Sequence, residues 1–246
     1  MTALKSVRST IRKSRVFKWL ALPVTSSYGR WWDLEGMTLA GARRAMGAGD
    51  VSAEEFDETG RVQAQRLSAF VSEDGRALDL GCGMGRVLKF LAPHCREVVG
   101  LDVSTRMLAL ARKYVDGAEN VRFVRGKGAE LSMFEDDSFD FCYSIQMFHQ
   151  IEREDSMKYL TEIARVLKPG GALYLEFLDL ETESNANDFK EYALESEVLR
   201  VSRRRFFTEP EVRKYAELAG LTGCDVVKEG RYLVLQRDGP EAEGSR

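Results

Sequence analysis

The sequence predicts a doubly wound α/β fold, a mostly parallel sheet covered by helices on both faces and preceded by an N-terminal helical extension. Three observations predict it. From Arg76 onward, short apolar runs alternate with stretches of helical periodicity. Those runs are near-continuously apolar, the pattern of strands buried on both faces. The first run leads straight into three glycines at alternate positions, Gly81, Gly83 and Gly85, at the strand-to-helix turn where such sheets bind ligands. A chain of 246 residues is long enough for one large domain with its own core, or for two small ones.

The elements follow in order. Residues 50–72 read as a helix: Ser52 and Glu55 make a capping box, and Phe56, Leu67, Phe70 and Val71 supply an apolar face. Strands are predicted at 76–80, 97–102, 121–126, 138–145 and 172–178. Helices at 85–92, 104–115 and 154–167 separate most of them, with Ser104 as the N-cap of the second. "KPGG" at 168–171 is expected to end the third helix and turn the chain into the next strand. An insertion then runs over 179–207, first acidic (Asp179, Glu181, Glu183, Asp188, Glu191, Glu195, Glu197) and then basic (Arg203, Arg204, Arg205). Thr208 and Glu211 cap the last helix, and strands near 222–228 and 231–237 complete the fold. This divides the chain into an N-terminal arm and substrate-side helical cap (1–49), the main domain (50–238) and a disordered tail (239–246).

Composition narrows the function. A net charge of −3 provides no global field to attract nucleic acid or an anionic membrane. Four widely spaced cysteines form no CxxC pair, so neither a metal site nor a disulfide framework is predicted, and a reducing, cytoplasmic setting is expected. No run of about 18 apolar residues is present to span a membrane. Residues 1–20 are locally different, with Lys5, Arg8, Arg12, Lys13, Arg15 and Lys18 and no acid, and with Leu4, Val7 and Ile11 at helical spacing. Two readings stand for that segment: a basic amphipathic helix on a membrane surface or an acidic partner, or an arm that is loose or docked on its own domain.

The glycine turn has a chemical reading. Glycine there permits a tight turn and lets a ligand touch the backbone. The spacing is G-x-G-x-G, not the G-x-G-x-x-G of dinucleotide sites, and Arg86 stands where the last glycine of that fingerprint would be. Arg86 either attracts an anion or points to solvent. Asp102 ends the second strand about 20 residues on, where a carboxylate can accept both hydroxyls of a ribose.

From Ala77 to Phe177 the chain resembles the class I S-adenosylmethionine-dependent methyltransferases. "LDLGCGMG" is similar to their first motif and "VVGLDVS" to their second. "GKGAELSMFEDDSFDFCYSIQMFHQI" resembles the third and fourth, and "ARVLKPGGALYLEF" the fifth. The resemblance implies a seven-stranded sheet in the order 3-2-1-4-5-7-6, with strand 7 antiparallel, and S-adenosyl-L-methionine as cofactor. It also implies roles by position. Asp79 would orient the methionine amino group, Gly81 and Gly83 would line the methionine and ribose, and Asp102 would bind the ribose hydroxyls. Val103 would pack on adenine, Gly128, Ala129 and Glu130 would meet the adenine edge, and Gln146 would lie by the methionine. Lys127 is a departure: relatives often place there an acceptor for the adenine amino group, which a lysine cannot be.

The acceptor side is read more coarsely. Of the two histidines, His149 in "QMFHQI" follows the fourth strand on the cofactor edge; it is either a general base for O-methylation or a local packing residue. Walls for the acceptor are expected from Tyr28, Trp31 and Trp32 and from the insertion, with Phe189, Tyr192, Phe206 and Phe207; equally, these aromatics serve as packing for the added lid. "SIQM" replaces the [DN]-P-P-[FY] tetrad of enzymes that methylate planar nitrogen. The expected function is therefore methylation of a small molecule, at oxygen. The alternatives are an RNA-directed methyltransferase using the basic arm and a noncatalytic cofactor-binding protein.

Overall fold

A computed structural model describes residues 28–46, 51–194, 204–227 and 232–237. Expectations for the arm at 1–20, for residues 47–50 and 195–203, and for the tail at 239–246 lie outside the described residues.

Two short helices come first, α1 (Tyr28–Glu35) and α2 (Leu39–Ala45), followed by α3 (Ala53–Leu67). The capping box of α3 forms as read: Ser52 Oγ accepts from Glu55 N, and Glu55 Oε2 accepts from Ser52 N. The helix stops at Leu67 and tightens into a 3-10 turn, Ser68–Phe70, so it is shorter than the apolar pattern suggested. Then come β1 (Arg76–Leu80), α4 (Leu88–Leu91), β2 (Glu97–Asp102), α5 (Thr105–Tyr114), β3 (Val121–Arg125), β4 (Phe139–Ser144), α6 (Arg153–Val166) and β5 (Leu167–Glu176). The insertion contributes β6 (Leu178–Asp179), α7 (Glu183–Leu194) and β7 (Phe206–Phe207). Last are α8 (Glu209–Leu218), β8 (Leu221–Val227) and β9 (Tyr232–Arg237).

The main sheet has seven strands in the order β3-β2-β1-β4-β5-β9-β8. β1 to β5 are mutually parallel, and β9 runs antiparallel to both β5 and β8. With the two-stranded β6–β7 pair set aside, this is the order the sequence implied. The strands alternate between two cores. Leu78, Leu80, Val99 and Leu101 face the side of α6 and α8, whereas Ala77, Val98, Phe141 and Tyr143 face the side of α3 and α4. Asp79 breaks the apolar pattern of β1, a carboxylate buried two residues from Ala77.

Two elements differ from expectation for local reasons. α4 begins only at Leu88, because Gly81, Gly83 and Gly85 all have positive φ and the chain turns until Val87. "KPGG" lies inside β5 instead of before it. Phe139 pairs with Leu167 and Phe141 with Ala172, so residues 168–171 loop out as a bulge. Pro169 has no N–H to give the ladder, Gly170 is left-handed (φ 78°), and Lys168 Nζ ties the loop to Asp140 Oδ1 at 2.7 Å.

The order in which successive strands are added reverses between the parallel β1 and β4, so the crossovers from these strands leave on opposite sides and open a crevice at their carboxyl ends.

Candidate active site

The crevice begins at the glycine turn. Gly81 N and Cys82 N both donate to Leu101 O, at 2.8 and 3.0 Å, which pins the turn to the neighbouring strand. Gly83 has φ 54°, a conformation that a β-branched residue resists. Its N–H donates to Asp102 Oδ2 at 2.9 Å, and Ser104 N donates to Asp102 Oδ1 at 2.8 Å. One carboxylate thus organises the turn after β1 and the start of α5, with lone pairs left on both oxygens.

Asp79 and Asp102 are both buried. Burial pushes Asp79 up to about 7, with the neighbouring Asp102 charge adding to it. Burial likewise pushes Asp102 up to about 6, against the pull of the Ser104 and Gly83 N–H groups. Tyr143 and Arg86 pull Asp79 the other way. A cation or a pair of hydroxyl donors would further satisfy the two carboxylates.

The opposite wall comes from β4 and β5. Gln146 follows β4 in the left-handed region, φ 61°, and its N–H donates to the buried Glu176 Oε2 at 2.7 Å. A non-glycine residue held in that conformation at a strand end points to a site. Tyr159 Oη, from α6, donates to Gly128 O at 2.8 Å and fixes the loop after β3.

Helix α1 crosses the mouth. At one end Tyr28 Oη accepts from Glu152 N at 3.1 Å. Further along, Asp33 Oδ1 accepts from Ser104 Oγ at 2.7 Å and from Arg106 N at 3.0 Å. Gly29 packs so closely that a Cβ there would lie 3.0 Å from Val103 O. The helix therefore straps the start of α6 to the start of α5, over the residues that flank Asp102.

The resulting cleft encloses about 1100 Å³, including the open space at its mouth. Asp79, Gly81, Gly83, Asp102, Val103, Gly128, Ala129 and Gln146 all line it, as do Tyr28 and Trp32. Other expected residues fall elsewhere. Glu130 is exposed and outside the lining, as is Lys127. Trp31, on α1, is buried and outside the lining. Phe206 packs against Phe189 and Tyr192, with ring centroids 5.4 and 6.4 Å away, so the insertion's aromatics hold the insertion together.

His149 is also outside the lining, buried in the 3-10 turn Phe148–Gln150. Its carbonyl accepts from Arg205 N at 2.9 Å. Arg205 also reaches Gln150 O at 3.1 Å and pairs with Glu152 at 2.6 Å. The returning end of the insertion thus clamps the loop that holds His149.

Several lining residues had no signal in the sequence reading. Asp155 and Tyr159 stand one turn apart on α6, and their i, i+4 spacing was the only available sign. Met46 and Met147 cover the glycines: a Cβ on Gly83 would lie 3.0 Å from Met46 Sδ, and one on Gly81 would lie 2.9 Å from Met147 Cγ. Both are unbranched ends that can swing aside. Arg86 also lines the cleft; it is buried, with neither the solvent exposure nor the outward direction considered for it.

Residues 78–175 match a family described as "Methyltransferase domain". This stretch of the chain is a methyltransferase domain of the class I S-adenosylmethionine-dependent kind. The chain is 37% identical over 102 residues to the uncharacterized methyltransferase YcgJ of Bacillus subtilis, covering 41% of this chain and 39% of that one. An O-methyltransferase of Aspergillus nomiae is 31% identical over 137 residues, 52% of this chain and 60% of its own length. A Pyrococcus horikoshii protein of known structure superposes with a TM-score of 0.61 at 27% identity, covering 76% of this chain and 92% of that one. The chain spans about half the length of the curated relatives it matches.

The cleft of this methyltransferase domain fits S-adenosylmethionine. Its buried carboxylates complement the ribose hydroxyls (Asp102) and an ammonium group (Asp79), and its glycines leave backbone open once two flexible methionines move. Among the described residues, no helix is long and apolar enough to cross a membrane.

Proposed function

We propose that this methyltransferase transfers the methyl group of S-adenosylmethionine to an oxygen of a small, largely apolar acceptor, and that Asp155 receives the acceptor's proton. The observation that carries this reading is the lining. Tyr28, Trp32, Ile145, Met147 and Ile151 provide apolar walls beside the Asp155 carboxylate, which Lys158 Nζ approaches to 3.4 Å. Arg86 is the one basic side chain in that lining among the described residues, which suits a small acceptor better than a nucleic-acid phosphate chain. The relative from Aspergillus nomiae is named an O-methyltransferase, which supports oxygen as the accepting atom.

When bound, S-adenosylmethionine supplies a methyl group on a positively charged sulfur that departs as a neutral thioether. The rest is the work of this chain. Asp102 and the glycine turn hold the ribose, Asp79 holds the ammonium end, and the strained Gln146 shapes the wall beside it. Apolar side chains exclude water and align the acceptor oxygen with the methyl carbon. As the O–C bond forms and the C–S bond breaks, the hydroxyl proton passes to a carboxylate oxygen of Asp155.

The test is a panel of phenolic and aliphatic hydroxyl compounds with isotopically labelled S-adenosylmethionine, read by mass spectrometry. Label is expected on oxygen. With the best acceptor, Asp155→Asn should slow transfer by roughly 100-fold with S-adenosylmethionine affinity little changed. His149→Ala should leave the rate within a few-fold of the wild type. Label on amines alone, or a loss in the His149 variant as large as in the Asp155 variant, overturns the reading.

A further inference from the structure

The formal charge of the chain is unevenly spread. Residues 1–46 hold nine Lys and Arg against Asp33 and Glu35, whereas the remaining 200 residues hold 27 against 37. A net charge of −3 therefore conceals a segment at +7 joined to a body at −10. The described part of that segment contains α1 and α2, and the corner between them is apolar. Among the described residues eight large apolar side chains are exposed, and three of them, Leu34 (38%), Met37 (58%) and Leu39 (47%), fall within six positions at that corner. Ala40 beside them is exposed too, as are Arg30, one turn before Leu34, and Arg44, one turn after Ala40. Arg106 is exposed against the same corner, where a Cβ on Gly36 would come within 3.2 Å of its own Cβ. The same two helices carry Tyr28, Trp32 and Ala45, which line the cleft. The corner thus stands on the rim of the mouth, with apolar side chains exposed and cations around them.

Aliphatic groups ringed by guanidinium groups fit a surface that is apolar within and anionic at its face. Single exposed apolar residues need no explanation, but three adjoining ones do, and a nucleic-acid phosphate chain offers them no partner. The sequence before α1 has the same two components: residues 1–20 carry six basic residues and no acid, interleaved with Leu4, Val7, Ile11, Phe17 and Trp19. We propose that the α1–α2 corner docks on an anionic lipid bilayer, drawn there by the charge of residues 1–46, and so sets the mouth of the cleft against the lipid surface. Leu34, Met37 and Leu39 enter the headgroup boundary, while Arg30, Arg44 and Arg106 meet lipid phosphates. The negatively charged body is repelled by the same surface, which favours one orientation. On the reading that the acceptor is small and largely apolar, such a mouth takes it from the bilayer without a passage through water. The docking itself does not depend on that reading.

The experiment is flotation of the full chain with vesicles of phosphatidylcholine alone and of phosphatidylcholine with about 30% phosphatidylserine. The partition constant should be at least about 30-fold higher on the anionic vesicles, and about 0.5 M salt should remove most of that difference. Leu34→Ser, Met37→Ser and Leu39→Ser combined should lower partition onto the anionic vesicles by about 10-fold or more. Arg30→Gln, Arg44→Gln and Arg106→Gln combined should lower it by about 10- to 100-fold. All six residues are exposed, so both variants should keep the wild-type circular dichroism and melting transition. If either does not fold, Met37→Ser and Arg44→Gln alone decide, each with an expected loss of about 3-fold. Equal binding to both vesicle types, or binding to neither, overturns the proposal. So does an unchanged partition constant in the apolar variant, which would leave the charge of residues 1–46 acting alone. Tighter retention on single-stranded RNA than on anionic vesicles at the same salt makes the partner a nucleic acid. A dimer in sedimentation that the apolar variant dissociates makes it a second copy of the chain. Each of these overturns the bilayer. Neither cofactor nor acceptor is present in these measurements, so the reading of the reaction stands or falls separately.

Discussion

The two halves of the cleft are built differently. The cofactor half consists of backbone and two carboxylates within one stretch, Asp79 to Ser104, held by hydrogen bonds of 2.8–3.0 Å between adjacent strands. The acceptor half is assembled from side chains of α1, the loop after β4 and α6, brought together over more than a hundred residues of sequence, as in the Tyr28–Glu152 contact. The first half is a property of strand ends and is rigid before any ligand arrives. The second depends on how separate segments dock. Changes in the two halves should therefore differ in kind: loss of binding from the first, altered rate or residence from the second.

The largest effect is expected at Gly83. Valine at φ 54° costs about 1–2 kcal/mol in backbone strain, and its side chain would stand on the face the cofactor must reach. Gly83→Val should stay folded by circular dichroism, because the nearest atoms to a new Cβ belong to the flexible Met46 side chain, yet lose more than about 100-fold in cofactor affinity by calorimetry. A folded variant with normal affinity would mean that the cofactor half does not work through backbone contact.

The same contrast explains what could be read in the sequence. The strands, their order, the Ser52 capping box and the Ser104 cap were legible, because each depends on periodicity or on residues within a few positions of one another. So were Asp79, Gly81, Gly83 and Asp102 as cleft residues, since strand ends and a parallel register fix where they point. His149 was left between a general base and a local packing residue: its place after β4 was legible, but the clamp from Arg205, 56 positions later in the chain, which sets how that loop packs, was not. Phe206 was read as a cleft wall, whereas it serves as the insertion's own core, because no local pattern distinguishes an aromatic that faces a ligand from one that faces Phe189. Asp155 was hidden for the same reason, and Arg86 was legible only as a choice between an anion and solvent. Their importance comes from what surrounds them.

The pH dependence should belong to the cofactor half. A carboxyl raised by burial keeps its proton in the folded chain to a higher pH than in the unfolded one. The folded state then binds more protons across that window, so the ligand-free protein loses stability as pH rises from about 4 through the folded values of about 6 for Asp102 and about 7 for Asp79. Ligand groups that donate to the ionised carboxylates, or bring a positive charge, reverse this. The melting temperature without ligand should fall between about pH 5 and pH 8, while the rise produced by S-adenosylhomocysteine should grow over the same range. Asp102→Asn should weaken the dependence. A ligand-induced rise that shrinks with pH would mean that the carboxylates are not its partners.

The smallest effect should come from the strap between the halves. Asp33 Oδ1 holds Ser104 Oγ and Arg106 N, and so grips the start of α5. Asp33→Ala removes both bonds, about 1–2 kcal/mol of docking for a helix that covers the residues flanking Asp102. It also removes a negative charge that helps to raise the Asp102 carboxyl. The two consequences oppose each other. A looser strap speeds cofactor release, whereas a more readily ionised Asp102 grips the ribose better near neutral pH. The off-rate of S-adenosylhomocysteine, followed by stopped-flow, should therefore rise only about 3- to 10-fold, with the equilibrium affinity reduced by less than that and the pH limb moved to lower pH. Asp33→Asn keeps an acceptor oxygen without the charge, so it should shift the limb with little change in off-rate. If both variants release ligand at the wild-type rate, α1 covers the cleft without closing it, and the acceptor half takes no part in holding the cofactor.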